Sequence, residues 1–328
     1  MHQRIAEIDY LKGVMIILVV MFHLVALDIA YPTVRMAIYT FHVPVFLIIS
    51  GYLTNINKNP ADYGRSILRL IVPYIIFETV YMLLLHSFGD GVNATLSMDV
   101  LTLKDVAIRL LVYPVGAYWY LQVLIVCGIV YYLVFHFLKM ANSSKFLLMS
   151  TIVYAIAYSV RHYEVVPIMA GSGFVWESVL FFLLGVLIRL SGIPFTKVFP
   201  ASWFALIPLV ILLSSRDHLF RGTLPGLFIT LLIICFLLFA VRYIGNQGRT
   251  LLGYLGRNSL AIYVFSPLFV GASKFVEPFF RFDSTMICYA IVATFFSIIA
   301  SLGCSYLSDR LHLTRWLFCS EKIFYCFL

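Results

Sequence analysis

The sequence is poor in charge and has no long polar segment. Charged residues make up only 12% of its 328 residues, about half the share of a typical soluble domain, whereas apolar residues make up 62%. The mean hydropathy is +0.98. This composition excludes an ordinary soluble globule. It also argues against a nucleic-acid partner, because no polar segment is long enough for a basic binding face despite the net charge of +8.

Paired cysteine spacing, sequence repeats and low-complexity linkers are absent as well. Without a C-x-x-C pair, the six cysteines indicate neither a disulfide framework nor a zinc site, and we expect no metal. Four of them lie in apolar runs, and the six are predicted to pack as small apolar residues. The lack of repeats and linkers predicts a single domain over residues 1–328.

Apolar runs of about 20 residues, the length that crosses a bilayer, recur along the whole chain. They predict an all-α integral membrane protein, a bundle of about ten transmembrane helices. The predicted spans are 10–29, 36–54, 66–87, 118–138, 145–160, 173–191, 201–214, 224–243, 258–273 and 285–307. Lys12 at the mouth of the first run, and the lack of a small-residue cleavage site after it, favour a retained helix over a signal peptide.

Basic residues divide unequally between the two sides of this bundle. With the amino terminus in the cytoplasm, the inner segments hold 15 of the 23 Lys and Arg residues and five acids, while the outer segments hold eight of each. The positive-inside rule therefore places both termini in the cytoplasm. Membrane topology alone explains why the chain has more basic than acidic residues.

Lys12 and His23 both belong to the first predicted span. Their separation of eleven residues corresponds to three helical turns, which places both on one face, roughly 16 Å apart along the axis. A neutral imidazole inside an apolar bundle can act as a general base, because burial disfavours its charged form. In the alternative interpretation, Lys12 only anchors the helix at the headgroups and His23 is a hydrogen-bonded core residue. Polar groups within spans are costly, so both are predicted as functional.

The second span contains the segment FHVPVFLIISGYL, residues 41–53. Pro44 leaves a carbonyl one turn earlier without its helical partner, which predicts a helix that bends beside another element. Ser50 and Gly51 permit close approach of a neighbouring backbone. His42 and Ser50 are candidate binding residues, although both could simply pack or cap.

The third span opens with Arg65 and Arg69, which are four residues apart and so share a helix face. Two guanidinium groups at a helix amino terminus can bind phosphate, although positive-inside anchoring explains them without a ligand. Glu78 lies deeper in the same span. It needs a partner there, such as Lys12 or a hydroxyl-rich cavity.

Two further clusters are weaker signals. The segment YWYLQ, residues 118–122, places Trp119 and Gln122 at the outer end of the fourth span, where aromatic rings form an interfacial belt but can also stack on sugars. The inner loop 242–258 combines Arg249 and Arg257 with four glycines and could wrap phosphates. Its spacing matches neither a P-loop nor a dinucleotide fingerprint.

Taken together and in this order, these residues resemble the membrane-bound acyltransferase family 3, the integral-membrane O-acyltransferases. The resemblance runs over IDYLKGVMIILVVMFH in the first span, FHVPVFLIISGYL in the second and RSILRLIVPY in the third. It continues more weakly through YWYLQ and LGRNSLAIYVFSPLF. The soluble esterase-like extension of some members has no counterpart here, so the chain is similar to the stand-alone type.

The resemblance implies an enzyme that takes an acetyl group from cytoplasmic acetyl-coenzyme A. The acceptor would be a hydroxyl of a cell-surface glycan or of its lipid-linked precursor, and the enzyme would lie in a bacterial inner membrane. Family members share a basic residue and a histidine separated by ten residues, which Lys12 and His23 match. His23 would then be the essential residue, as a general base or as an acyl carrier, with Lys12 as its companion.

The remaining site residues are expected to divide between the two substrates. Arginines opening the third helix correspond to Arg69 and, with a spacing of four rather than the family's frequent three, to Arg65. The expected coenzyme-binding residues are Arg65, Arg69, Arg249 and Arg257. The expected acceptor-binding residues are His42, Ser50, Glu78, Trp119 and Gln122. One departure concerns the ninth span, where the family usually has a histidine and this chain has Ser266.

Other functions fit the composition less well. A transporter or flippase of a lipid-linked glycan would have a similar polar path, but it would be expected to show repeat symmetry and broken helices in matching halves. A membrane scaffold or sensor would not need a buried histidine and lysine on one helix face. The sequence leaves open the identity of the acceptor, acetyl against succinyl transfer, and the oligomeric state.

Overall fold

A computed structural model describes residues 5–88, 102–112, 114–137 and 173–326. Within these residues every regular element is helical. The α-helices are α1 (Ala6–Met21), α2 (Val25–Ala30), α3 (Pro32–Leu53), α4 (Pro60–Phe88), α5 (Leu103–Leu111), α6 (Trp119–Phe137), α7 (Gly173–Leu190), α8 (Phe195–Val198), α9 (Leu206–Leu213), α10 (Leu224–Ala240), α11 (Asn246–Arg257), α12 (Ser259–Ser273), α13 (Ile287–Arg310) and α14 (Thr314–Phe318). The prediction of an all-α protein is confirmed for this part of the chain.

Five segments of the described residues are helical, long and apolar enough to cross a membrane. They are Pro32–Leu53, Pro60–Ser87, Leu103–His136, Leu224–Tyr243 and Ile287–Arg310, which correspond to α3, α4, the region of α6, α10 and α13. The helices α9 and α12 are apolar but shorter. The predicted span 145–160 falls entirely outside the described residues. The total of ten spans and the cytoplasmic termini stay predictions.

The first predicted span, 10–29, is not one continuous helix. Helix α1 ends at Met21, and α2 begins only at Val25. The backbone N–H of Phe22 still bonds to the carbonyl four residues back, but His23 bonds to Val20, three residues back, which tightens the last turn. His23 therefore lies in a turn beyond the helix end, so the regular three-turn relation to Lys12 does not extend to it.

Pro44 lies inside α3 and has the predicted effect on the backbone. Proline has no N–H, so the carbonyl of Thr40, one turn earlier, loses its helical partner. The hydroxyl of Thr230 on α10 donates to the carbonyl of Gly226 in its own helix at 2.9 Å and also lies 3.4 Å from the Thr40 carbonyl oxygen. Both threonines are buried, so this longer contact offers a shared donor to an acceptor that water would not reach. A sequence feature of one helix is thus matched by a side chain of another.

The structure divides into two compact units, and α3 contributes to both. The first unit comprises the described residues of Met1–Val43, Leu84–Met98 and Phe199–Leu328. The second comprises those of Pro44–Leu83 and Asp99–Val198.

In the first unit, α1 and α11 pack with their backbones in contact. A Cβ atom at Gly13 would lie 2.2 Å from the carbonyl oxygen of Leu252, and one at Gly256 would lie 1.8 Å from that of Asp9. The basic, glycine-rich segment 242–258 was predicted as a loop, and this prediction is wrong for most of it, because Asn246–Arg257 is a helix. Its glycines serve close packing against α1 rather than loop flexibility.

We expect Gly256→Ala to destabilise the first unit. The added methyl group would collide with a backbone oxygen that cannot rotate away, and overpacking of this kind costs about 1–3 kcal/mol. Gly303→Ala on α13 is the matched control, since no atom lies within 4 Å of its added Cβ and alanine favours a helix. Thermal unfolding of the detergent-purified variants should show a lower Tm only for Gly256→Ala. Equal Tm values for both variants would contradict the packing.

The second unit has an equivalent close crossing between α3 and α7. A Cβ atom at Gly51 would lie 2.1 Å from the oxygen of Phe182, and one at Gly185 would lie 2.0 Å from that of Ile48. The expectation that Gly51 permits close approach of another backbone is therefore confirmed. Between α4 and α6, the Tyr63 hydroxyl donates to the carbonyl of Gly128 at 2.9 Å.

The C-terminal segment is fixed to the first unit by two polar side chains. The carboxylate of Asp309 accepts hydrogen bonds from the backbone N–H groups of Ile323 and Phe324. Asn258 donates to the carbonyl of Tyr325 at 3.1 Å and accepts from its N–H at 2.9 Å. The segment following α14 is thereby attached to the junction of α11 and α12, directly after Arg257.

The start of α13 is capped by Asp283. Its carboxylate accepts from the hydroxyl and N–H of Thr285 and from the N–H of Cys288. Hydrogen bonds from the Thr285 hydroxyl and the Cys288 amide lower the pKa of Asp283 to about 2. Among the cysteines, Cys127 is buried as predicted, but the prediction of apolar packing is wrong for the exposed ones, Cys288, Cys319 and Cys326.

Candidate active site

The turn that carries His23 is held by apolar packing on both sides. Phe22 and Leu24, the two neighbours of His23, are buried, and they belong to a cluster with Tyr289, Ala290 and Ala293 at the start of α13. Small residues on α13 allow the turn to approach that helix closely. The histidine between the two buried residues is itself only partly buried.

The hydrogen bond of His23 defines its tautomer. Its Nδ1 lies 2.6 Å from the carbonyl oxygen of Val19. A carbonyl can only accept, so Nδ1 carries the hydrogen, and in the neutral ring the lone pair is on Nε2. His42 has the same arrangement, with Nδ1 2.7 Å from the carbonyl of Ile38, and it is buried. The free Nε2 of His23 can therefore act as a base or as a nucleophile.

Tyr39 connects the two histidines. Its ring centroid lies 6.1 Å from that of His23 and 5.0 Å from that of His42. Its hydroxyl donates to the carbonyl of Phe22 at 2.8 Å, which satisfies one of the carbonyls left open at the end of α1. The turn at His23 is thus fixed by a side chain from α3 as well as by the apolar cluster.

A pair of opposite charges lies beside this aromatic group. Arg35 forms an ion pair with Asp28 at 3.3 Å, and its guanidinium carbon lies 5.1 Å from the centroid of the Tyr39 ring. Within the first unit, a base, an aromatic ring and charged groups of both signs therefore surround one turn.

A basic cavity of about 260 Å³ lies at the other end of α1, between its first turns and α11. It is lined by Ala6, Asp9, Tyr10, Arg249, Thr250, Gly253 and Arg257. The Nε atom of Arg257 is buried and has no hydrogen-bond partner among the described residues. Arg249 donates to the side chain of Asn246 at 2.5 Å. A buried donor without an acceptor is costly, so the cavity is suited to an anionic group.

Lys12 lies close to this cavity rather than to the histidine. Its ammonium group forms an ion pair with Asp9 at 3.0 Å, and both side chains are mostly buried. Because Asp9 lines the cavity, Lys12 contributes to the charge around it. Lys12 lies in the first half of α1, beside the cavity, whereas His23 lies beyond the last turn of that helix.

The four predicted phosphate-binding arginines belong to different units. Arg249 and Arg257 lie together at the cavity of the first unit. Arg65 and Arg69 lie on α4 in the second unit, where both are exposed and Arg65 pairs with Asp62 at 3.2 Å. The structure thus brings two of the four together, and it gives Arg65 a partner within its own helix.

Glu78 and Gln122, both in the second unit, contact the segment that joins α5 to α6. One carboxylate oxygen of the fully buried Glu78 accepts from the N–H of Val115, so its partner is a backbone group and not an ammonium or hydroxyl as expected. The Nε2 of Gln122 donates to the carbonyl of Leu111 at 3.0 Å. Both residues thus have a structural role, in addition to any contact with substrate.

Ser50 and Trp119, the other predicted acceptor-binding residues, also lie in the second unit. The hydroxyl of Ser50 is 3.0 Å from that of Tyr120, whose ring packs on Phe46 at 6.0 Å. Trp119 is the first residue of α6 and is partly buried. Ser266, at the position where the family usually has a histidine, is buried within α12 of the first unit.

Several residues of the site were not found from the sequence. Tyr39 was hidden within an apolar helix, and Asp28 and Arg35 resembled ordinary charges at a membrane boundary. Asp9 lies three residues before Lys12, a spacing that favours contact on a helix and could have revealed the pair.

The chain is similar to known proteins over most of its length. The model of the Acyltransferase domain family (Acyl_transf_3) matches residues 5–306. The nodulation protein NolL of Sinorhizobium fredii is 32% identical over 135 residues, which cover 37% of this chain and 34% of NolL. The matched segment thus spans about a third of that relative. No solved structure matches. The family match covers nearly the whole chain, from before Lys12 and His23 to beyond Arg257, and the chain therefore belongs to the Acyltransferase domain family.

Proposed function

We propose that this protein is an O-acyltransferase that moves an acetyl group from acetyl-coenzyme A to a hydroxyl of a cell-surface glycan or its lipid-linked precursor. The donor would enter from the cytoplasm, and the protein would lie in a bacterial inner membrane. Membership of the family and the apolar helices of the described chain support this proposal. No metal takes part in it.

One observation carries the proposal, namely that α1 has a different polar site at each end. Near its first turns is the basic cavity, in which Arg257 has a buried donor without a partner in the described part of the chain. Beyond its last turn is His23, with Nε2 available. A donor that has phosphates at one end and a thioester at the end of a long flexible arm is suited to bridge such a separation. In the proposal the arm extends along α1 from the cavity towards His23.

His23 can promote the transfer by either of two routes. As a general base, its Nε2 takes the proton of the acceptor hydroxyl while that oxygen attacks the thioester carbonyl. The carbon–sulfur bond then breaks, and the coenzyme thiolate recovers the proton from the imidazolium. As an acyl carrier, Nε2 itself attacks the carbonyl and expels the thiolate. The acceptor oxygen next attacks the acetyl-imidazolium while the proton of its hydroxyl passes to the expelled thiolate, which forms the ester and the coenzyme thiol and regenerates the imidazole.

The hydrogen bond to Val19 supports both routes. It directs Nδ1 to the backbone and leaves Nε2 for chemistry, and the carbonyl stabilises positive charge on the ring as it develops. Tyr39 keeps the turn in place through the carbonyl of Phe22. The carbonyl oxygen of the thioester also gains charge during the reaction, and Arg35, whose guanidinium carbon lies 5.1 Å from the centroid of the Tyr39 ring, is a charged donor that can stabilise it.

The proposal is tested by following the acetyl group. Surface glycan extracted from cells that lack the gene serves as the acceptor. Detergent-purified protein is incubated with this glycan and with radiolabelled acetyl-coenzyme A. We expect label in the glycan, and mass spectrometry should show an acetyl increment that the deletion cells lack. Binding of acetyl-coenzyme A without any transfer, or no binding at all, would contradict the proposal.

A further inference from the structure

The ion pair of Asp28 and Arg35 uses only one of the two carboxylate oxygens. Oδ2 of Asp28 lies 3.3 Å from Nε of Arg35. Oδ1 is buried and has no hydrogen-bond partner among the described residues. A buried carboxylate oxygen without a donor is costly, because it has lost water and gained nothing in return. A donor from outside the chain would complete it.

Oδ1 of Asp28 lies near the end of α1 where the acceptor is proposed to bind, and not near the end where the coenzyme is proposed to bind. Asp28 lies on α2, five residues beyond His23, and its partner Arg35 lies over the Tyr39 ring that packs beside His23. The basic cavity is at the opposite end of α1. A molecule that presents a hydroxyl to Nε2 of His23 would therefore have its neighbouring groups near Asp28.

We infer that Oδ1 of Asp28 accepts a hydrogen bond from a second hydroxyl of the acceptor, close to the one that is acylated. Asp28 is then a binding residue for a polyhydroxylated acceptor, and Arg35 orients its carboxylate. This inference rests on the proposed function and makes it more specific. The site selects a sugar with two nearby hydroxyls over an alcohol with only one.

Charge supports a hydroxyl rather than a carboxylate or phosphate at this oxygen. An acidic group would meet the negative charge of Asp28 at hydrogen-bonding distance, and like charges in a poorly solvated site repel strongly. A hydroxyl donates without carrying charge. Carboxylates are acceptors only, so the missing partner must be a donor. Arg35 is about half exposed and can donate to a further oxygen of the same sugar.

The variant Asp28→Asn tests this directly. Its single oxygen is expected to face Arg35, which places an amide donor where Oδ1 was, so two donors would meet. With the glycan from deletion cells as the acceptor, we expect the KM of the variant for this glycan to rise about 10- to 100-fold. This is the usual effect of losing a hydrogen bond to a charged group. The KM for acetyl-coenzyme A should stay unchanged. Asp217→Asn, an exposed carboxylate of the same unit, is the matched control.

The outcomes separate the two proposals. If the wild-type protein transfers no acetyl group, the proposed function fails, whereas normal acceptor KM in an active Asp28→Asn enzyme overturns only the inference. A purely structural role of Asp28 would lower Tm and raise both KM values, which also overturns it. Should Asp28→Asn not fold, Asp28→Glu keeps the charge but displaces the oxygen, and it should show the same selective rise in acceptor KM.

Discussion

His23→Asn should abolish acetyl transfer while leaving the protein folded. The asparagine amide can still donate to the carbonyl of Val19, as Nδ1 does now, but it has no basic nitrogen in place of Nε2. Loss of a general base typically costs 10²- to 10⁴-fold in rate, and loss of an acyl carrier costs at least as much. The measurement is label transfer from acetyl-coenzyme A to the glycan, together with Tm.

His218→Gln provides the matched control for this variant. His218 is a partly buried histidine of the same unit, and its Nδ1 also faces a backbone carbonyl, that of Leu212 at 3.1 Å. It should keep wild-type activity. If His23→Asn retained near wild-type turnover, His23 would have no part in the mechanism. The two routes are distinguished by incubating the wild-type protein with labelled acetyl-coenzyme A but no acceptor. Only an acyl carrier leaves the label on the protein.

Arg257→Gln should weaken the binding of acetyl-coenzyme A about 10- to 100-fold, because the cavity would lose a charged donor whose Nε has no acceptor among the residues that the structure describes. Calorimetry on detergent-purified protein measures the Kd. The ligand itself offers a second comparison. Acetyl-pantetheine has the thioester and the arm but no nucleotide phosphates, so its affinity should not change. A Kd that rises equally for both ligands would contradict a phosphate site at this cavity.

Arg242→Gln is the control for that experiment. Arg242 is exposed in the turn after α10 and lies outside the lining of the cavity. Its replacement removes the same charge from the same region of sequence. An equal loss of affinity in both variants would show that the general positive charge of this side, rather than the half-buried Arg257, attracts the coenzyme.

The sequence was most informative where a single physical requirement dominates. Long apolar runs must be helical in a bilayer, so α3, α4, α6, α10 and α13 could be predicted with bounds close to those observed. The unpaired carbonyl created by Pro44 was likewise predictable, because it follows from the covalent structure of proline. Its donor, Thr230, was not, because that depends on which helix packs alongside.

Predictions failed where tertiary contacts override local preference. The run from Val14 to Phe22 is uniformly apolar, and nothing in it indicates that α1 ends at Met21. The end is stabilised from outside, by the hydroxyl of Tyr39 and the cluster at the start of α13. Glycines in 242–258 indicated a loop because glycine disfavours helices, but close packing against α1 outweighs that preference.

The residues of the candidate site also divide into those that were predicted from the sequence and those that were not. His23 was predicted as a site residue because ionisable groups within apolar spans are costly, and Arg257 because it lies in a basic, glycine-rich segment. Asp28, Arg35 and Tyr39 were not identified, because single charges at the end of a span and a tyrosine in an apolar helix are common. Only their arrangement around one turn makes them noteworthy, and that arrangement depends on the fold.

The anchoring of the C-terminal segment by Asn258 and Asp309 has a practical consequence for handling the protein. Asn258 directly follows Arg257, so whatever pulls Tyr325 away from it also disturbs the neighbour of a residue that lines the basic cavity. An affinity tag fused immediately after Cys326, or a protease that trims the segment after Ser320, would act on this cavity from outside it. Purification handles are better placed at the amino end or separated from the carboxyl end by a flexible spacer.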